Sequence, residues 1–173
     1  RRQRQMCIRD RTGSGSESAH YYVEVLPGES GTTTVGGKSY KLHHSDTSPG
    51  TGYTVTSEDQ YPITGFTFNS GVSTQTGGKY NNARFYYTRN TYNIVFVNGG
   101  STVKTVQVKY QQDISDQDYT PTNPPKGKED HTFDGWYEDS ACTCEFVFEG
   151  ETMPAYNITL YAGWEGRTYT VTA

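Results

Sequence analysis

The 173-residue chain is poor in the residues that helices are built from. Leu occurs three times and Ala six times, against twenty-five Thr. Leu and Ala favour helices, whereas Thr, Val and the aromatics favour strands, so a mainly helical protein is excluded. Long apolar runs are also missing: no stretch approaches the ~18 residues that a membrane-spanning helix requires, and the mean hydropathy is −0.81. Positive charge is scarce. Fifteen Lys and Arg face 19 Asp and Glu, for a net charge of −4, which argues against a nucleic-acid partner. No G-x-S-x-G, P-loop, H-E-x-x-H or Gly-rich dinucleotide loop occurs, so neither catalysis nor a cofactor is expected. What is abundant is Tyr (15 residues) together with 19 Gly and 7 Pro, the makings of many strands and many turns.

The N-terminal residues differ from the rest. Residues 1–11 hold five Arg and one Asp. Met6-Cys7-Ile8 is too short an apolar stretch for a secretion signal. Gln5-Met6-Cys7-Ile8-Arg9-Asp10-Arg11 resembles the in-frame translation of a transposase-type sequencing adaptor, and is set aside on that ground. Without residues 1–11 the charge becomes −4 − (5 − 1) = −8. The Gly- and Ser-rich stretch up to residue 18 is expected to be disordered. At the other end, residues 166–173 read as the opening of a further strand, as if the sequence were a window on a longer chain.

Self-similarity organises the remainder. Thr91-Tyr92-Asn93-Ile94-Val95-Phe96 recurs as Thr168-Tyr169-Thr170-Val171-Thr172-Ala173, an offset of 168 − 91 = 77. Each follows an aromatic strand, Ala83 to Tyr87 and Ile158 to Trp164. Gly65-Phe66-Thr67-Phe68 and His131-Thr132-Phe133-Asp134-Gly135-Trp136 form a looser pair. The expected parse is one module over 19–90, a second over 91–165 and the start of another at 166–173. Alternation has period two, as in Val106, Val108 and Tyr110 against Gln107 and Lys109, or Ile158, Leu160, Ala162 and Trp164 on one strand face. Pro27-Gly28, Gly36-Gly37, Gly77-Gly78, Asn98-Gly99-Gly100 and Asn123-Pro124-Pro125 punctuate the runs. One short helical turn per module is expected, near Ser57–Tyr61 and Ser140–Phe146. The link Arg89-Asn90-Thr91 contains no Gly or Pro, which predicts a semi-rigid join.

The second module carries a specific signature. Asn98-Gly99-Gly100, Pro124-Pro125-Lys126, Phe133-Asp134-Gly135-Trp136-Tyr137 and Ile158-Thr159-Leu160-Tyr161-Ala162-Gly163-Trp164 follow one another in the order that resembles the Listeria–Bacteroides repeat, the B-repeat of internalin-type surface proteins. The first module, through Tyr22-Val23-Glu24-Val25, Tyr61-Pro62-Ile63-Thr64-Gly65-Phe66 and Phe85-Tyr86-Tyr87, is similar to mucin-binding-type modules that precede such repeats. The resemblance implies mainly β, β-grasp-like small α+β modules in tandem, in secreted, cell-wall-attached proteins of Gram-positive bacteria. It implies a non-catalytic stalk or adhesive role. Glycan or mucin binding, or service as accessory repeats of a larger extracellular enzyme, are the alternatives. Expected partners are host glycan, mucin or a surface protein, with no nucleic acid and no membrane span, and the modules are expected to be monomeric.

Candidate site residues each have a bland competitor. Trp136 and Trp164 could stack on sugar rings, but core packing accounts for them more simply. Tyr21–Tyr22 and Tyr86–Tyr87 are adjacent in strands, so one of each pair should face solvent. Tyr22, Tyr86 and Tyr137 are the ligand-binding candidates. Cys142 and Cys144 form a C-x-C near the reach limit of a disulfide, and with His131 isolated they lack companions for a metal. His43–His44 reads as a solvated pair. Asp113, Asp116 and Asp118 lack the Gly and Glu spacing of a calcium loop. Asn157-Ile158-Thr159 fits a glycosylation pattern inside a strand, and Leu26-Pro27-Gly28-Glu29-Ser30 superficially resembles a sortase signal but reads as a turn.

Overall fold

A computed structural model describes residues 19–46, 61–73 and 83–167. The adaptor-like residues, the stretch up to residue 18, residues 57–60 of the first expected helical turn and the recurrence at 168–173 all lie outside the described residues. The chain divides into two compact units, Arg1–Asn90 and Thr91–Ala173. Each contains one five-stranded sheet.

In the first unit the strands are β1 (Ala19–Glu24), β2 (Thr33–Val35), β3 (Lys38–Asp46), β4 (Phe66–Phe68) and β5 (Ala83–Arg89), in the order β2-β3-β1-β5-β4. β1 runs parallel to β5 and antiparallel to β3. Alternate residues Ala19 and Val23 of β1 and Ala83, Phe85 and Tyr87 of β5 form the core, with Tyr21, Ile63, Phe66 and Phe68 packed against it. The second unit has β6 (Thr91–Asn98), β7 (Ser101–Lys109), β8 (Thr132–Tyr137), β9 (Glu145–Phe146) and β10 (Ile158–Glu165), in the order β7-β6-β10-β8-β9. β6 and β10 are parallel neighbours. Both sheets therefore set the first strand beside the last, in parallel.

Turn chemistry explains the hairpins. Gly36-Gly37 joins β2 to β3 and Gly99-Gly100 joins β6 to β7, and all four glycines have positive φ, 55° and 76°, 58° and 78°. Tight two-residue hairpins of this twist demand that conformation at both central positions, and only Gly adopts it freely.

The expected helical turns are corrected in the second unit. Residues 140–146 form turns and the two-residue strand β9, and the only helical element among the described residues is a 3₁₀ turn, Ser115–Gln117. The core face of this sheet is closed instead by two irregular segments, 110–131 and 147–157. Pro121, Pro124 and Pro125 keep the middle of the first of them from forming a helix. The segments tie to each other through Gln111 N–H to Met153 O (2.8 Å), Met153 N–H to Gln112 O (2.8 Å) and Ile114 N–H to Glu151 O (3.1 Å). They drop Ile114, Phe148 and Met153 into the cluster around Ile94, Phe96, Trp136 and Leu160. The buried Trp136 indole donates to Tyr119 O at 2.9 Å, so its polar atom is satisfied. On the edge strand β7, Lys104 lies opposite Phe96. Its Nζ sits 4.4 Å from the Tyr119 ring centroid and 5.7 Å from that of Phe96. A charge thus occupies a core-facing position.

Candidate functional site

The outer side of the β8–β10 pair is assembled around one small residue. Tyr137 is paired with Tyr161 across the strands, and a side chain added at Gly163 would collide with the Tyr137 ring and the Asp134 carboxylate. The register slips between Gly163 and Trp164, a bulge that turns the end of the strand. The expected single face holds for Ile158, Leu160 and Ala162, which pack in or against the core cluster, and is corrected for Trp164, which follows the bulge and is half-buried. Trp136 is core at 2% exposure. Trp164 stands edge-on to Phe133 at 5.7 Å and donates through Nε1 to Asn98 Oδ1 at 3.0 Å.

Next to this bulge lies a knot made by one carboxylate. Asp139 accepts from Thr143 N (2.9 Å), Thr143 Oγ1 (2.7 Å) and Cys144 N (2.8 Å). These donors, the Thr143 side chain first, hold its carboxyl below the usual range. The knot orients the C-x-C. Both thiols are free. Cys142 Sγ is directed at Ala162 O (3.8 Å) and Cys144 Sγ at Glu138 Oε2 (3.5 Å). Burial raises the Cys142 thiol pKa, and the hydrogen bond to Glu138 raises that of Cys144, so neither is an activated nucleophile.

At least two grooves open among the described residues of this unit. One, of about 380 Å³, is rimmed by Glu138, Glu145 and Glu151 and floored by Phe146 and Tyr156. The other, of about 330 Å³, is floored by Tyr161 and Trp164.

In the first unit, Tyr22 is half-buried and stacked on Tyr86 at 5.1 Å and 22°, and Tyr40 meets Tyr86 edge-on at 4.9 Å. Tyr86 and Tyr87 are 4% and 2% exposed. The expectation that one of this pair faces solvent is corrected, because rings close over both sides of β5. Burial also raises the pKa of the Tyr87 phenol, with Tyr21 and Tyr61 adding to it. Tyr137, the third candidate, is half-buried.

The remaining candidates are dispersed. His43 and His44 are exposed, and the His44 ring stacks on Tyr61 at 5.2 Å. His131 pairs with Asp130 at 2.9 Å. Asp113 accepts from Ser115 N at 2.7 Å, and Asn157 Oδ1 accepts from Asn93 N at 2.9 Å. Leu26 and Glu29 close a turn through Glu29 N–H to Leu26 O at 3.0 Å. Among the described residues no three His, Cys, Asp or Glu side chains converge as metal ligands.

One arrangement had no sequence signal. Glu24 and Arg89, both 5% exposed, lock the ends of β1 and β5. Arg89 donates to Glu24 O through Nε (3.1 Å) and Nη2 (2.9 Å), and its backbone N–H to Glu24 Oε2 (2.9 Å).

Comparison with known proteins places this geometry. Residues 92–163 match the Listeria-Bacteroides repeat domain family, which spans the second sheet from β6 to β10. Two proteins of Evansella cellulosilytica are similar over 83 residues, or 47% of this chain. One, named "Putative membrane protein", is 45% identical, with 11% of its length covered. The other, named "Putative Gly-rich membrane protein", is 41% identical, with 9% covered. The chain thus matches about a tenth of the length of these curated relatives. Among the described residues no helix is long and apolar enough to cross a membrane.

Proposed function

We propose that the chain is a non-catalytic spacer segment of a secreted, wall-attached surface protein from a Gram-positive bacterium. In this reading 19–90 is a mucin-binding-type module, 91–165 is a B-repeat, and further repeats follow. One observation carries it: in each sheet the first and last strands are parallel neighbours, β1 with β5 and β6 with β10. The chain therefore enters each sheet at one end and leaves at the opposite end, and a module with such ends adds its length to an array. An eight-residue strand such as β10 contributes roughly 26 Å. A single residue, Asn90, separates β5 from β6, in keeping with tandem modules. The order β7-β6-β10-β8-β9 supports a β-grasp-like reading in which irregular chain replaces the helix.

Recovering the complete gene tests the proposal. The expected product has a secretion signal, more copies of the 91–165 pattern, and an anchor to wall or membrane. A full-length product with neither signal nor anchor overturns it.

A further inference from the structure

We propose that the groove at the Trp164 end of the second sheet is a binding site for a carboxylate-bearing sugar chain. This goes beyond a spacer role, which stands or falls separately. Four features of the groove lead there.

Its floor is aromatic. Tyr161 and Trp164 are half-buried and line an opening of about 330 Å³, the lower end of the range for ligand pockets. Trp164 is fixed in advance by its bond to Asn98 and its contact with Phe133, so no ring has to be ordered on binding. Aromatic faces carry partial negative charge and attract the C–H face of a sugar ring.

Its walls are polar and small. They come from Pro125 and Lys128 in one loop and from Ser140 and Cys142 in the other. The Gly99–Gly100 turn forms part of the rim, and space beside Gly100 is open, with no atom within 4 Å of where a side chain would begin. A sugar hydroxyl can approach such backbone closely.

Its lining carries a cation. Among the described residues Lys128 is the only charged one lining the groove, whereas the other groove is lined by Glu138, Glu145 and Glu151 and the whole chain is net negative. At the Cys142 wall, burial and the carboxylates of Asp139 and Asp134 raise the thiol pKa more than the Lys128 charge lowers it, so the attraction for an anion is confined to the Lys128 wall. An anionic group on the ligand is thus the complement of this groove and not of its neighbour.

Its position disfavours a peptide strand. The groove overlies β6 and β10, interior strands whose backbone groups are already paired on both sides, so strand addition has no edge to use.

Fluorescence of the full chain provides the test. Trp136 is 2% exposed, so a ligand-dependent change in emission reports Trp164. The probes are hyaluronan and polygalacturonate oligosaccharides, with neutral cello-oligosaccharides of equal length as controls, at low salt. The acidic series is expected to give a saturable change, confirmed by calorimetry, and to bind about five-fold more tightly than the neutral series, the upper range for one exposed ion pair. Lys128→Gln should erase that preference. Ser140→Phe, at an exposed position, should block binding by both methods with an unchanged denaturation midpoint. Absence of saturable binding by calorimetry, equal binding of the neutral series, or binding undiminished in Ser140→Phe would overturn the proposal.

Discussion

Gly163 has the least room to change of the described glycines, since the Tyr137 ring and the Asp134 carboxylate fill the space a side chain would take. Gly163→Ala should therefore destabilise the unit by about 1–3 kcal/mol, the usual cost of overpacking, read from urea denaturation followed by Trp fluorescence. Asp139 sets a second expectation. Its carboxyl titrates below the 3.8 of a free aspartate because it accepts from Thr143 and Cys144. A pKa depressed in the folded state means stability that is present above the unfolded value and lost as pH falls through the folded one. Asp139→Asn should lower the denaturation midpoint at neutral pH and flatten its decline below about pH 4. Neither role stands out in the sequence. Gly163 reads as one more strand residue, and an Asp four positions before a Thr reads as a loop.

Within elements, the alternation that predicts strands also predicts faces, and it succeeds where both faces have distinct surroundings. Along β7 it separates Val106 and Val108 from Gln107, as expected. It fails along β5, where Phe85, Tyr86 and Tyr87 are all buried, because Tyr22 and Tyr40 cover the face that should have been open. It fails again at Trp164, where a bulge intervenes. The helical turn expected at 140–146 is lost to Asp139, whose carboxylate takes the backbone donors of Thr143 and Cys144. The Glu24–Arg89 lock joins residues 65 apart, a separation that no local pattern spans. Glu24→Ala removes the carboxylate that accepts from the buried Arg89 backbone N–H and pairs with Lys38, and should cost about 1–3 kcal/mol, the penalty for an unsatisfied buried donor, measured as a loss in the first unit's unfolding free energy.

For the whole molecule, most of what could be read from sequence was composition, turns and repetition. Strand content follows from Thr and Tyr, and hairpins from paired glycines. The looser repeat pair falls on equivalent elements: Phe66–Phe68 is β4 and Thr132–Tyr137 is β8, each antiparallel to the last strand of its sheet. The parallel pairing of Ile94 with Ile158 was not legible, since it is fixed by closure of the core and not by neighbours in the chain. That pairing makes a mechanical prediction. Force applied between Thr91 and Glu165 shears β6 against β10 and must break several hydrogen bonds together. Force between Thr91 and Lys109, register partners in a hairpin, opens bonds one at a time. Single-molecule pulling through handles at these positions should give a distinctly higher unfolding force for the first pair.

The Lys104 ammonium over Tyr119 and Phe96 has a consequence for coexistence of copies. β7 is a nine-residue edge strand whose first five residues are exposed. An edge of that length is a template for fusion with another sheet, and a protein that holds several related sheets on one chain keeps such partners at high local concentration. A charge at a core-facing position can be solvated only while the edge stays open. A second strand docking there would have to bury it, which disfavours pairing at this edge.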